Sequence, residues 1–192
     1  MIEDLPYFST NELLEKGFKK VGLDVRVSRL CSLYISEGEI GNKVRIDDFC
    51  ILKGEIYLGS NVHLAPHTVL SGSGGKIMFD SCSGCSNGVC IYTATDDYLG
   101  NNLGNPTIPE EFTKVRKGAV KIGKAVILGT YTVVLPGVEI GDGVSTSAYT
   151  LVRKSIPSGS VCVADGLNIK VLKVRNVDNL IQKCNQVIYG NI

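Results

Sequence analysis

Two histidines, His63 and His67, are the side chains of this sequence best suited to proton transfer near neutral pH. Because an imidazole has an ordinary pKa close to 6.5, it can accept a proton from a hydroxyl or ammonium group at neutral pH. Aspartates are the other candidates, and they occur as adjacent pairs at positions 47–48 and 96–97. An aspartate is a weak base at this pH, but its carboxylate can orient a histidine or bind an amine. The residue types favour a histidine base with a carboxylate beside it.

Cysteine spacing is the other feature that could indicate chemistry. Cys82 and Cys85 form a C-x-x-C pair, a spacing found in zinc and redox sites. No second pair at zinc-site spacing and no neighbouring histidine accompanies them, so we predict no metal site. Cys85 falls on an inward position of the repeat described next, which indicates core packing. The chain has seven cysteines, and we expect reduced thiols rather than a disulfide framework.

The candidate residues lie within a six-residue repeat of aliphatic side chains. Its recurring positions are Ile40, Ile46, Leu52, Leu58, Leu64 and Leu70, then Phe79, Cys85 and Ile91, then Ile122, Leu128, Val134, Ile140, Thr146 and Val152. A small or β-branched residue often stands two positions earlier, an alternation typical of β-strands. Glycine often follows the recurring residue, as in Gly41, and because glycine tolerates unusual backbone angles we expect corners there.

This pattern predicts an all-β fold, a parallel β-helix over residues 39–157 with three strands in each coil of about eighteen residues. The aliphatic series would fill the interior. A β-sandwich would show turn signals about every 8–12 residues instead of every six. An α/β sheet would need helices between strands, and the run from Ile40 to Ile91 has none.

Three segments lie outside the repeat. Residues 1–38 are predicted to form a cap with a short helix over Asn11–Val21, and residues 158–192 a C-terminal segment with a helix over Val177–Val187. The repeat also stops at residues 97–119, a polar stretch rich in asparagine, proline and glutamate. Loops of this length within a domain are usually functional or disordered, and this one leaves and re-enters the same solenoid. We therefore expect a protruding loop that reaches a neighbouring surface.

Composition excludes some classes of function. A formal net charge of +1 gives no electrostatic case for binding nucleic acid or an anionic membrane surface. No stretch is apolar enough to cross a bilayer, and the N-terminus lacks a signal-peptide pattern, so we expect a cytoplasmic protein.

The repeats together with the loop resemble the hexapeptide-repeat acyltransferases, which form left-handed parallel β-helices. The resemblance is to the sugar branch, which includes the maltose and galactoside acetyltransferases and the N-acetyltransferases of nucleotide-linked amino sugars such as GDP-perosamine. The segments that carry it are Ile91-Tyr92-Thr93-Ala94-Thr95, Asp96-Asp97-Tyr98, Asn105-Pro106-Thr107-Ile108-Pro109-Glu110, Leu135-Pro136-Gly137-Val138 and Ile140-Gly141-Asp142. The resemblance implies acetyl-CoA as donor, a homotrimer, and active sites between adjacent subunits.

The catalytic residues cannot be carried over directly. The maltose and galactoside enzymes have their histidine base directly after the segment matching Thr93-Ala94-Thr95, where this sequence has Asp96. His63 lies on an outward position of its repeat, and Asp96 on an equivalent position of another face. Our hypothesis is that His63 is the base and that Asp96 orients it across a subunit groove, with Asp97 as a second candidate for that role. His67 is the alternative base. A surface histidine beside the groove is the structural alternative for His63.

The resemblance also suggests binding residues. Acceptor-site candidates are Asp47, Asp48, His67, Asp97, Tyr98 and Asn105, and a solvated acidic corner is the alternative for the first pair. Small residues at corners after the loop, Gly129 with Thr130 and Ser147 with Ala148, would allow the pantetheine arm of CoA to approach the backbone. Lys154 and Lys170 are candidates for its phosphates.

The leading prediction is an acetyl-CoA-dependent acetyltransferase acting on the amine of a nucleotide-linked amino sugar in surface-polysaccharide biosynthesis. Asp96 favours the amine, because a carboxylate suits an ammonium acceptor. A sugar hydroxyl as acceptor is the alternative, and a non-catalytic β-helical scaffold is a remote one.

Overall fold

The computed structural model describes residues 6–166 and 168–190. In chain order its elements up to the loop are α1 (Thr10–Glu15), β1 (Phe18–Val21), β2 (Arg26–Val27), β3 (Ser32–Ile40), β4 (Arg45–Ile46), β5 (Ile51–Leu58), β6 (His63–Leu64), β7 (Val69–Phe79), β8 (Gly84–Cys85), β9 (Cys90–Tyr92) and β10 (Ala94–Thr95). After these come a 3₁₀ turn (Glu110–Phe112), β11 (Arg116–Lys117), β12 (Val120–Ile122), β13 (Ile127–Leu128), β14 (Val133–Val134), β15 (Glu139–Ile140), β16 (Ser145–Thr146), β17 (Leu151–Val152), β18 (Ser160–Asp165), β19 (Asn168–Val174) and α2 (Val177–Tyr189).

The strands form a three-sided parallel solenoid. Face A contains β2, β4, β6, β8, β13, β16 and β18. Face B contains the first parts of β3, β5 and β7, followed by β9, β14 and β17. Face C contains β1, the last parts of β3, β5 and β7, then β12 and β15. The predicted parallel β-helix is confirmed.

The core is the predicted aliphatic series. Every recurring position from Ile40 to Val152 is buried, and most of these side chains are 0–3% exposed. Each stacks on its counterpart in the next coil, as Ile46 does on Leu64 and Leu64 on Cys85. Burial of an aliphatic side chain contributes about 1.5–3 kcal/mol, so this column is the main source of stability.

The corners depend on glycine for a different reason from the one predicted. Gly41 and Gly59 do not have positive φ; instead a Cβ on either would lie 2.6–2.8 Å from backbone atoms of the next coil. The left-handed residues come two positions later and are not glycine, as at Lys43 (φ 54°) and Asn61 (φ 58°). Glycine is therefore needed at these corners for close approach of successive coils.

The N-terminal helix is shorter than predicted. Ser9 caps it in a capping box with Glu12, and it ends at Glu15 instead of continuing to Val21. Gly17, with φ 111°, packs so closely against the Ile35 carbonyl that the chain turns into β1. Parallel pairing thus extends from Phe18 to Cys162, beyond the predicted bounds of 39 and 157 on both sides.

The C-terminal helix α2 lies along the corner between faces C and A. Asn176 caps it, as its side chain accepts a hydrogen bond from the Asn179 amide. Val177 and Leu180 pack near Gly143 in the solenoid. The predicted second helix is confirmed and extends two residues further, to Tyr189.

Cys82 and Cys184 form a disulfide that fastens α2 to the solenoid, so the expectation of reduced thiols is wrong for this pair. Their Cα atoms are 6.0 Å apart although 102 residues separate them in sequence. The pair forms because α2 folds back along the corner and brings Cys184 to the coil of Cys82. Cys85 is buried and free, as predicted.

Reduction of this disulfide is expected to lower the free energy of unfolding by about 2–4 kcal/mol, because the bond closes a long loop in the unfolded chain. Denaturant unfolding with and without dithiothreitol measures the difference. The Cys184→Ser variant is the control, since its midpoint should not respond to reductant. Equal midpoints for the oxidised and reduced wild-type protein would contradict the expectation.

Candidate active site

A cleft of about 510 Å³ opens on the outer surface of face A. It forms because Gly84 pairs with His63 on one side and with Ile127 on the other. The row of outward-facing side chains on face A therefore has a gap at Gly84. The residues that line it are Asn61, His63, Ala65, Cys82, Ser83, Gly84, Cys85, Ser86, Asn87, Val126, Ile127 and Thr130. A small polar group of a ligand fits this space beside the imidazole.

His63 projects from β6 at the edge of this cleft, with its side chain 49% exposed. Its Nε2 lies 2.8 Å from Oδ2 of Asp47. Arg45 Nε donates a hydrogen bond of 2.6 Å to the other carboxylate oxygen of Asp47. The repeat explains this arrangement, since Arg45 and His63 are in register on adjacent coils and Asp47 follows β4 directly.

Asp47 stays ionised in this network. Burial raises the pKa of its carboxyl, but the hydrogen bonds from His63 and Arg45 outweigh burial, and the pKa lies below its ordinary value. A lowered pKa means that the network stabilises the fold above the ordinary aspartate pKa and loses this contribution as the pH falls through the folded value. The carboxylate is therefore available to His63 at neutral pH.

Asp96 has a different partner within the chain. Its Oδ2 accepts a hydrogen bond of 3.2 Å from the Asn105 amide. This contact lies at the base of the loop, where β10 pairs antiparallel with β11. Within one chain, Asp47 and not Asp96 contacts His63, so the pairing of His63 with Asp96 across a subunit groove stays a prediction.

The other loop candidates also shape the loop. Asp97 accepts hydrogen bonds from the Leu99 amide (2.8 Å) and from Asn102 Nδ2 (2.9 Å), which together lower the pKa of its carboxyl. The side-chain oxygen of Asn105 accepts from both donors of Thr107. Tyr98 is 87% exposed.

Two acceptor candidates lie at the corner between faces A and B. Asp48 accepts a hydrogen bond from the Ser28 hydroxyl, which holds it against the first coil. His67 has φ 64° and its ring stacks on Phe49 with centroids 5.2 Å apart. His67 is not among the residues that line the cleft.

The corner candidates for CoA stack in successive coils next to the cleft. Thr130 lines the cleft, and its neighbour Gly129 donates its amide to Thr146 Oγ1 at 3.0 Å. A Cβ on Gly129 would lie 2.5 Å from the Ser147 carbonyl, so the small residue is required by packing. Ser147 Oγ accepts from the Ala164 amide, and Ala148 is exposed.

Lys154 lines a second cavity, of about 550 Å³, between β17 and the antiparallel hairpin of β18 and β19. Arg153 lies in the same cavity and contacts Asn168 at 3.4 Å. Lys170 is exposed on β19, paired with Val163. The turn of this hairpin lies between Asp165 and Asn168, and Leu167 is outside the described residues.

Ser86 is a cleft residue that the sequence reasoning missed. It follows Cys85 at the same corner position that Asp47, Ala65 and Gly129 occupy in other coils. The repeat phase could have identified it, because Ala65, at the same position of the preceding coil, also lines the cleft. Its hydroxyl adds a hydrogen-bonding group beside His63.

The part of the chain that the structure describes contains neither a metal-binding cluster nor a membrane-spanning helix. No group of three or more histidine, cysteine, aspartate or glutamate side chains in residues 6–166 and 168–190 is arranged to hold a metal ion. Over the same ranges, neither helix has the length and apolar character needed to span a membrane.

Residues 119–154 match the family model described as bacterial transferase hexapeptide (six repeats). The chain is 35% identical over 176 residues to the dTDP-4-amino-4,6-dideoxy-D-glucose acyltransferase of Escherichia coli, and the match covers 90% of each protein. The N-acyltransferase AntD from Bacillus cereus, solved in complex with dTDP and 3-hydroxybutyryl-CoA, is 34% identical with a TM-score of 0.88, covering 97% of this chain and 99% of that one. A galactoside acetyltransferase solved with coenzyme A shares the fold, at 18% identity and a TM-score of 0.53 over 88% of this chain and 71% of that one. The chain therefore belongs to the hexapeptide-repeat sugar acyltransferases.

Proposed function

We propose that this enzyme transfers the acetyl group of acetyl-CoA to the amine of a nucleotide-linked amino sugar, in the cytoplasm, for surface-polysaccharide synthesis. The observation that carries the proposal is the cleft on face A, where a histidine with a carboxylate partner lies beside a corner of small residues. The relatives support the choice of ligands, since AntD binds dTDP and an acyl-CoA and the Escherichia coli enzyme acts on a dTDP-linked amino sugar.

In the proposed reaction His63 is the general base. It accepts one proton from the ammonium group of the acceptor, and the freed nitrogen forms a bond to the thioester carbonyl carbon. The carbon–sulfur bond then breaks, the second proton of the nitrogen passes to the departing thiolate, and the proton on His63 returns to solvent. Asp96 of a sister subunit binds the acceptor ammonium in this proposal. This role replaces the orienting role expected from the sequence, because the Asp47 carboxylate already contacts Nε2 of His63.

The donor is proposed to lie along the corner between faces A and B. Backbone at Gly129, Thr130, Ser147 and Ala148 would contact the pantetheine arm, which places the thioester near Thr130 and the cleft. Lys154 and Lys170, at the hairpin end of the same surface, would contact the phosphates of CoA.

The acceptor sugar and its nucleotide are proposed to bind on the other side of His63. Asp48 and His67 lie in the earlier coils of the same corner, where the nucleotide would extend. Asp97, Tyr98 and Asn105 would come from the loop of a sister subunit.

A homotrimer is the assembly that this site needs, and the outer surface of face B supports it. One of its two outward ladders is apolar beyond Ser32, consisting of Ile51, Val69, Cys90, Val133 and Leu151 in register. The other is mixed and includes Lys53, Ser71 and Tyr92. The corresponding ladder of face C is mostly polar and includes the ion pair Lys121–Glu139, 2.9 Å long. The loop, although polar overall, also exposes apolar side chains, among them Leu99, which is 89% exposed. An apolar sheet face of this kind suits contact with a second copy of the chain.

Turnover with a panel of acceptors tests the proposal. We expect CoA to be released from acetyl-CoA with dTDP- or GDP-linked amino sugars, and the product to gain one acetyl group on nitrogen by mass spectrometry. The matched control is the same nucleotide sugar with a hydroxyl in place of the amine, which should give no release above hydrolysis.

The alternatives give different results in the same assay. Turnover of plain glycosides or of the hydroxyl control would identify an O-acetyltransferase, for which a histidine base with a carboxylate partner is also suited. Absence of turnover together with absence of acetyl-CoA binding by calorimetry would leave a scaffold.

A further inference from the structure

The contacts of His63 define which of its two nitrogens carries the proton. An ionised carboxylate can only accept hydrogen bonds, so the nitrogen 2.8 Å from Asp47 Oδ2 must be an N–H donor. That nitrogen is Nε2. A neutral imidazole has a single N–H, which leaves Nδ1 as the acceptor, and no described residue hydrogen-bonds to Nδ1.

We infer that Asp47, held in place by Arg45, is a positioning residue that fixes His63 as the Nε2–H tautomer and makes Nδ1 the nitrogen that takes the acceptor's proton. This inference rests on the proposed function for the reaction, but the tautomer itself does not. The neighbouring coils agree with it: β4 supplies Arg45, and β8 places Gly84 next to His63, with no titratable side chain at that outer position.

The hydrogen bond from Arg45 determines how the side chain at position 47 is oriented. Its Nε–H donates to Asp47 Oδ1 at 2.6 Å, so the atom at Oδ1 must be an acceptor. If Asp47 is replaced by asparagine, the amide keeps its oxygen on Arg45 and turns its NH₂ group towards His63. An NH₂ group only donates, so Nε2 must become the acceptor and the proton moves to Nδ1. The base nitrogen of the proposed reaction is then blocked, although the shape of the site is unchanged.

The first test is spectroscopic and needs no substrate. In ¹⁵N-histidine-labelled protein above pH 8, we expect His63 to give the Nε2–H pattern in the wild type and the Nδ1–H pattern in D47N. The chain has two histidines, so His67 supplies an internal reference in the same spectrum. A wild-type Nδ1–H pattern, or an unchanged Nε2–H pattern in D47N, overturns the tautomer assignment whether or not the enzyme acts on amino sugars.

The second test is kinetic and uses a rescue. We expect D47N to lower kcat about 10- to 100-fold, which corresponds to the loss of one hydrogen bond to a charged group. The KM for acetyl-CoA should stay within about twofold of the wild-type value. Adding R45M frees the new amide to rotate and present its oxygen to Nε2–H, so the double variant should regain part of the lost kcat. A double variant as slow as D47N, or slower, would overturn the positioning role. If no nucleotide amino sugar is turned over by the wild type, the proposed function fails while the spectroscopic result stands.

Discussion

Replacing His63 with alanine is expected to lower kcat by about 10²–10⁴-fold, the usual contribution of a positioned general base. The KM for acetyl-CoA should change little, because His63 lies two coils before the proposed donor corner at Gly129 and Thr130. The fold should persist, since the side chain is 49% exposed and outside the core. Steady-state kinetics with the acceptor identified in the panel measures the effect, with thermal unfolding to confirm folding.

Two further variants test whether the loss of kcat is specific to His63. His67→Ala should affect mainly the KM for the acceptor, because that ring stacks on Phe49 outside the cleft. Glu139→Ala, on the charged outer surface of face C, should leave both constants unchanged. If His63→Ala keeps the wild-type kcat while His67→Ala lowers kcat by several orders of magnitude, the base is His67 and not His63.

Val133→Glu is expected to dissociate the proposed trimer and to abolish turnover with it. Val133 is half-buried in the middle of the apolar outward ladder of face B, between Cys90 and Leu151. Each copy would bury an unpaired carboxylate in an apolar interface, at a cost of several kcal/mol per charge. Sedimentation equilibrium should then give a species of 20.6 kDa in place of one three times heavier.

The control for this variant is Met78→Glu. Met78 is an outward apolar residue in the equivalent position of face C, where its neighbours are Tyr57 and Lys121. It should remain trimeric and active, which separates loss of the interface from a general effect of a new carboxylate on a strand. A Val133→Glu protein that stays trimeric, or a wild type that is monomeric and active, would refute the proposed assembly.

Most of the fold could be predicted from the sequence because every coil needs an apolar side chain at the same inward positions. The position that points inward recurs every six residues, so positions such as Leu64 and Leu128 were assignable without a structure, and both are completely buried. The end of α1 was not assignable, because Leu13 and Phe18 fit a continuous helical face. What ends the helix is the close contact of Gly17 with Ile35, and no local pattern encodes that contact.

The site was predictable only in part. His63 could be chosen as the candidate base from residue type and repeat phase, but its partner was sought on the loop. The coil length would have pointed to Asp47, because a coil of eighteen residues puts Arg45 beside His63 and the next outward residue within reach. The Cys82–Cys184 disulfide could not be inferred, since the direction in which α2 folds back depends on packing against Gly143.

The short antiparallel pair of β10 and β11 has a consequence for how such enzymes diversify. It closes the neck of the insertion, and β12 resumes pairing with β7 immediately afterwards. Residues between the two strands of the neck can therefore lengthen, shorten or change sequence without shifting any inward position of later coils. Evolution, or a loop graft in the laboratory, can alter this segment, which is proposed to contact the acceptor sugar, while the coils proposed to bind the donor are inherited intact.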